Sequence, residues 1–539
     1  MVGFAKMTSV NRWFLLVIAV VLAGCSNNSD SEPSGFSARK PAGSQNILRY
    51  CLGINPTTLD PAKVQDPDTI ELLNNIYEPL VNYDEHNKIV GNLASEWTIS
   101  TDGTVYTFKL VAAKFHDGTD ISAKDVKTSW ERALSKEISS PIADTYLGDI
   151  VGSGDFAKGK TTEISGIKVI DNWTVQVTID KARPYFLGKL CYSCCDVLPA
   201  KQGRLEITDA SQAIGTGPFV LNDIQPELVI NLRRFDDYHG VKAEIDGIQR
   251  KIVKDPSTRL TMFRNGEIDI CTAEKQDWKA INDDRKLKPL FKKFPRATVY
   301  YLLLSGKAYA PFKDSHVRRA VMMSINRKRI ADEILKGAPI ANRWLPDGII
   351  DAKPTGAALD YNPDEAKKEL LQSDFKTGAS LPPLELTMRA DKTDDKIIAE
   401  QVINDLKNSI GLTVKPRTLD EGSMIKARNS GELPCVFLSW GADYLDAQNF
   451  LSVLMKTDAQ ANYDKWSNNE FDKLCTAADV ERDPEARGTM YLQAESLVLQ
   501  YVPRVPLYFA VDGVLIGKRV RGYRSNLLNA LPHNKVALK

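Results

Sequence analysis

Beyond its first 24 residues the 539-residue sequence has no apolar run long enough to cross a bilayer, which takes about 20 residues. The bulk of the chain is therefore expected to fold in water. A charge excess is missing too: 70 Lys and Arg against 69 Asp and Glu leave a net charge of +1. So balanced a chain has little electrostatic grip on nucleic acid or on an anionic membrane face, and no nucleic-acid partner is expected. Histidine is scarce: His86, His116, His239, His316 and His533 are scattered without paired spacing, so no metal site is expected. There is no Gly-x-Ser-x-Gly and no His-Glu-x-x-His, and the acidic residues are too many to single out a catalytic pair. Catalysis thus has no positive support, the expectation is a non-enzyme, and no cofactor is called for.

Two glycine-rich stretches need separate treatment. Gly154-Asp155-Phe156-Ala157-Lys158-Gly159-Lys160-Thr161 has the spelling of a phosphate loop. That loop works only between a strand and a helix, where backbone N–H groups and the helix N-terminus meet the phosphate. Here residues 162–170 lead directly into the alternating Trp173, Val175, Val177 and Ile179, so a surface loop is expected. Gly215-Thr216-Gly217-Pro218 lacks the third glycine of a dinucleotide fingerprint, and its proline removes a donor; it reads as a tight turn.

What is present begins at the N-terminus. Lys6 and Arg12 precede residues 13–23, which carry no charge, and the run ends in Leu22-Ala23-Gly24-Cys25. A basic start with a short apolar core is a secretory signal. The small residues before the cysteine resemble a bacterial lipobox, which implies cleavage before Cys25 and lipid on its sulfur. The protein is then expected to be exported, periplasmic or at the cell surface, and held to the membrane through Cys25, where ATP and nicotinamide cofactors are scarce. Residues 26–45 are rich in Ser, Asn, Pro and Gly without periodicity and read as a flexible leash. The remainder is long enough for two to four domains at about 100–200 residues each. Of eight cysteines, Cys191, Cys194 and Cys195 cluster; in an exported chain a disulfide is the leading reading, with free buried thiols and a metal as alternatives.

Strand and helix signals mix along the whole chain. Asp102-Gly103 before alternating Tyr106, Phe108 and Leu110 predicts a turn and a strand. Ser122 with Asp125 predicts a capping box for a helix that buries Val126, Trp130, Ala133 and Leu134. Helices are also predicted over 317–335 with a break near Asn326, from Asn362-Pro363, and over 394–410, 469–480 and 484–500, and strands over 414–417 and 435–440. The class is α/β or α+β with several lobes and no internal repeat.

An ordered set of segments across residues 46–539 resembles the large solute-binding proteins of peptide ABC importers. It comprises Leu59-Asp60-Pro61, Ile76-Tyr77-Glu78-Pro79-Leu80, Leu93-Ala94-Ser95-Glu96-Trp97, Phe115-His116-Asp117-Gly118, Ser122 to Val126, Trp130 to Leu134, Gly215 to Phe219, Arg264 to Asp269, and Val317-Arg318-Arg319-Ala320 with Ile325-Asn326-Arg327. The resemblance implies an α/β, two-lobed periplasmic-binding-protein-like fold with discontinuous lobes, an extra subdomain and the ligand in the cleft between lobes. Lobe I would comprise 46–77, 202–302 and 512–539, the extra subdomain 78–201 and lobe II 303–511. The implied partners are a peptide and the permease subunits of an ABC importer, with the protein itself a monomer. Other implied roles are a receptor for signal or cell-wall peptides, or a binder of a nickel chelate, haem or an oligosaccharide; outside the resemblance stands an exported hydrolase.

In that family a Trp-x-Ala-Asp-Tyr-like segment holds the peptide amino group. Here it is Trp440-Gly441-Ala442-Asp443-Tyr444, which makes Asp443 the anchor and Trp440 its neighbour, with Ser439, Gly441 and Ala442 offering backbone groups. The resemblance also places Gln65 and Asp66 on the opposite wall and Tyr508 among the wall aromatics. The bland readings are a cap or loop role for Asp443, Gln65 and Asp66, and core packing for Trp440 and Tyr508. Some relatives carry an arginine for the ligand carboxylate where this chain has Phe437, and some bond a cysteine at the place of Gly441 to one near Cys271; here that bridge cannot form.

Overall fold

The computed structural model describes residues 46–356 and 358–539; the signal segment, Cys25 and the leash lie outside them. Its backbone is organised by a mixed sheet of ten strands: β1 (Ile47–Leu52), β2 (Phe219–Gln225), β3 (Val229–Arg234), β4 (Gly247–Ile252), β5 (Ile270–Ala273), β6 (Phe291–Leu304), β7 (Leu384–Arg389), β8 (Val414–Leu419), β9 (Cys435–Gly441) and β10 (Arg504–Ile516). The spatial order is β8-β7-β9-β6-β10-β5-β1-β4-β3-β2.

Two long antiparallel strands, β6 and β10, join the halves. Phe291 to Pro295 pair with Leu515 to Val511, and Val299 to Leu303 pair with Phe509 to Arg504, with register shifts after Pro295 and at Tyr300/Tyr301. One end of β10 continues the sheet into β5 and β1; the other half of β6 carries β9 and β7. Each half holds an apolar core and a further core spans both, in the two-lobed arrangement expected. Strand period 2 decides which side chain goes where: Leu302 and Leu304 pack into one core and Val299, Tyr301 and Leu303 into another.

A separate four-stranded antiparallel sheet, in the order Ala94–Ile99, Val105–Leu110, Thr174–Thr178, Ile167–Asp171, packs against helix Ala123–Leu134. The Ser122/Asp125 capping box forms. Trp130 is fully buried and donates from Nε1 to the Cys195 carbonyl at 2.9 Å. Leu59-Asp60-Pro61 fastens this unit to the main sheet: the buried Asp60 carboxylate accepts from both Arg132 terminal nitrogens, one at 3.0 Å, and from the Ile207 N–H at 3.0 Å.

Most predicted elements form. Helices Pro363–Gln372 and Thr393–Ile410 begin and end where the Asn362 cap and left-handed Gly411 place them. The 317–335 segment breaks after helix Ser315–Ser324, and Asn326 caps a second short one. The phosphate-loop spelling places Gly154 to Ala157 inside the short helix Ser153–Ala157, so no loop of free N–H groups precedes a helix there. The Gly215 turn is closed by contact: a Cβ at Gly215 would lie 2.0 Å from the Ile76 carbonyl oxygen.

The expected disulfide is not formed. All seven described cysteines are free, and Cys194 Sγ and Cys195 Sγ are 4.0 Å apart, twice the length of a disulfide bond, about 2.05 Å. Cys194 and Cys195 are packed in the smaller unit's core, and burial raises the Cys191 and Cys194 thiols well above the ordinary range. Among the described residues no group of His, Cys, Asp and Glu could hold a metal, and no helix is long and apolar enough to cross a membrane.

Candidate functional site

Strand β9 has an exposed edge. It pairs with β6 along its whole length, but with β7 only at Cys435 and Val436. Beyond Val436 the side facing away from β6 therefore has no strand on it. The hydrogen-bond phase decides which groups point there. The Ala442 N–H donates to the Ala297 carbonyl at 2.8 Å and the Ser305 N–H to the Pro434 carbonyl at 2.9 Å. These bonds bracket a ladder in which Thr298/Gly441, Tyr300/Ser439 and Leu302/Phe437 are the non-hydrogen-bonded pairs. In antiparallel strands such residues turn both N–H and C=O away from the partner. Phe437, Ser439 and Gly441 thus present their backbone groups to the open edge. The Ala442 N–H does not, being committed to Ala297.

At the end of this edge stands Asp443. Its carboxylate accepts from Asn449 Nδ2 at 3.4 Å and from the Tyr146 hydroxyl, and among the described residues it has no cationic partner. Burial, the largest effect, pushes its pKa up to about 6. Asn449, buried, also accepts from Trp440 Nε1 at 2.9 Å and from the Asp443 N–H at 3.4 Å. Trp440 lies opposite Val299, on the sheet face away from Ser439, against the core that holds Trp344 and Phe450. It orients Asp443 through Asn449 and does not face the cavity described below.

Tyr146 stacks on Tyr192 (centroids 4.1 Å apart, planes 15° apart). Burial first, then the charge of Asp443 and more weakly that of Asp66, raises the Tyr192 phenol's pKa. Asp443 and the tyrosine pair, from distant parts of the chain, therefore meet at one place, and Asp66 acts on Tyr192 only through space. Asp66 also caps helix Pro67–Leu73, accepting from the Thr69 N–H at 2.9 Å. Gln65 beside it is exposed.

A cavity of about 790 Å³ opens beside the other end of the edge. It is walled by Phe437, Leu438 and Ser439 of β9, by the 272–278 and 389–395 segments, and by Tyr300 and Tyr508. Tyr508 is buried, opposite Tyr300 in register, and stacked on it with centroids 4.4 Å apart. Ser439 and Tyr508 thus line the cavity, whereas Trp440, Gly441, Ala442, Asp443, Gln65 and Asp66 do not. No sequence signal marks Tyr146, Tyr192 or Asn449 around Asp443, nor Tyr300 and Lys275 in the cavity. The tyrosine pair lies some 250–300 residues from Asp443 along the chain, and no local pattern marks it.

The pattern of the family described as "Bacterial extracellular solute-binding proteins, family 5 Middle" matches residues 88–462. The chain is 26% identical to the periplasmic murein peptide-binding protein MppA of Escherichia coli over 91% of its own length and 93% of that protein's. It is 27% identical to heme-binding protein A of Haemophilus influenzae over 94% and 95% of the two lengths. The solved structure of the Escherichia coli murein tripeptide binding protein MppA superposes with a TM-score of 0.76 at 25% identity, covering 92% of this chain and 99% of that one.

Proposed function

Because the chain belongs to the bacterial extracellular solute-binding proteins, family 5, we propose that it captures peptides outside the cytoplasm and delivers them to the permease of an ABC importer, binding and releasing without chemical change. In this reading the precursor is cut before Cys25 and the mature protein is held to the membrane by lipid on Cys25. Residues 26–45 then link the lipid to the folded body. Lobe I comprises 46–77, 202–302 and 512–539, the extra subdomain 78–201 and lobe II 303–511, and the protein acts as a monomer.

The observation that carries the reading is an open strand edge ending in a carboxylate without a cation. An extended peptide added to Phe437, Ser439 and Gly441 gains main-chain hydrogen bonds that do not depend on its sequence. Its amino group then supplies Asp443 with the missing charge. A haem or an oligosaccharide needs neither feature. A receptor role for cell-wall peptides, the ligand class in MppA's name, would use the same edge and anchor.

Native mass spectrometry of the protein lacking its first 25 residues is expected to show a co-purified peptide mixture. Calorimetry is expected to show N-acetylated peptides binding at least tenfold more weakly than those with a free amino group. Equal affinity for the two would remove Asp443 as the anchor, and absence of any peptide binding would sink the function.

A further inference from the structure

The cavity contains one half-buried cation with nothing to bond. Lys275 Nζ sits 5.1 Å from the centroid of Tyr508 and 5.6 Å from that of Tyr300, over the stacked pair. Asp394, Asp395, Asp512 and Glu274 act on it only through space; among the described residues no acceptor lies within hydrogen-bond reach of its ammonium. Two of those carboxylates are engaged elsewhere, Asp512 by Arg296 at 2.6 Å and Glu274 by Arg259 at 3.3 Å. The other cavity cations differ. Arg389 is held by Asp391 at 2.7 Å and by Glu421, Arg428 lies on the Tyr463 ring at 4.1 Å, and Lys392 is exposed.

An ammonium carries three N–H donors. Attraction to aromatic faces offsets part of the hydration lost on burial but satisfies none of them. Burial accordingly holds the Lys275 pKa below that of an ordinary lysine. Position 437, on the same strand as Ser439, is phenylalanine and brings no charge to the wall. We infer that Lys275 receives an anionic group of the bound peptide and sets a preference for ligands that carry one.

The inference rests on the peptide-binding reading and adds a second charged contact to it. Tyr300, beneath Lys275, is opposite Ser439, four residues before Asp443. At about 3.3 Å per residue the two charged groups are roughly 13 Å apart along the edge. That is the span of a peptide of three or four residues lying antiparallel to β9 with its amino end at Asp443. The anion is then a C-terminal carboxylate or an acidic side chain at the third or fourth residue.

Calorimetry on the whole mature protein separates these possibilities. The probes are tri- and tetra-alanine, their C-terminal amides, and the amide of Ala-Ala-Glu, each titrated into the parent protein, Lys275→Met and Lys275→Arg. Amidation is expected to weaken binding to the parent at least tenfold and to leave Lys275→Met unaffected, because the variant has already lost the contact; Lys275→Arg should restore most of the discrimination. If only the glutamate-bearing amide discriminates parent from Lys275→Met, the anion is a side chain and the role of Lys275 stands. A variant that loses the same factor for every probe, or for none, overturns the inference, since a lysine that only packs on the tyrosines cannot tell a carboxylate from an amide. Failure of the parent to bind any of these or longer peptides would instead overturn the peptide-binding reading, and the inference with it.

Discussion

Asp443 is an acid held where it is uncomfortable without a ligand. Burial raises its pKa to about 6, and the groups facing it are the Tyr146 hydroxyl, Asn449 and Tyr192, none of them cationic. In the unfolded chain an aspartate titrates near 3.9. The folded form therefore binds this proton more tightly, and the ligand-free protein gains stability from this group as pH falls through about 6 toward 4. Peptide affinity moves the other way. The ammonium needs the ionised carboxylate, so affinity should drop as pH falls from 7 to 5, and binding at pH 6 should release a proton, measured by calorimetry in buffers of different ionisation enthalpy. Asp443→Asn should flatten both dependences and raise the melting temperature of the ligand-free protein while weakening peptides at least tenfold. A variant that keeps proton release at pH 6 would assign the titration to another group. Of this constellation the sequence made Asp443 and Trp440 legible through one short segment. It could not show that Trp440 acts from the far face through Asn449, because that follows from the strand's alternation.

At the scale of elements, β9 does two jobs with one backbone, and the ladder phase separates them. Ser439 turns its N–H to the open edge and Leu438 turns its N–H to β6. Ser439→Pro removes an edge donor, where proline is tolerated. It should leave the melting temperature near that of the parent while costing about 1 kcal/mol of peptide affinity, one net hydrogen bond, or roughly fivefold. Leu438→Pro removes a ladder donor and should lower the melting temperature by several degrees. Circular dichroism melts with peptide titrations of the two variants test the assignment; a large stability loss in Ser439→Pro would mean its N–H is not free. The strand itself was legible in Cys435 to Trp440. Its free edge was not, because that edge follows from β7 pairing with β9 no farther than Thr387, a point no local pattern marks.

Over the whole molecule, the two halves of the sheet share β6 and β10, whereas among the described residues no strand pairing joins the smaller unit's sheet to the large one. Asp60 is its buried tie to Arg132 and the Ile207 N–H. Removing one partner of a buried ion pair leaves the other charged and unpaired, at a cost of about 3–5 kcal/mol. Asp60→Ala is therefore expected to lower the unfolding midpoint in urea and to make residues 94–178 exchange amide hydrogens faster than β1 and β4 do. Uniform protection in the variant would show that the apolar contacts alone hold the joint. The sequence alone set the caps, breaks and strand faces, from the Ser122 box to Gly411, because these depend on neighbours within a few residues. It also carried the order of motifs that marks the family. The folded chain alone brings Tyr146 and Tyr192 to Asp443, sets Lys275 over Tyr300 and Tyr508 with no hydrogen-bond acceptor among the described residues, and keeps the described cysteines apart. Each of those depends on long-range packing of two lobes and a subdomain, and no local spacing encodes it.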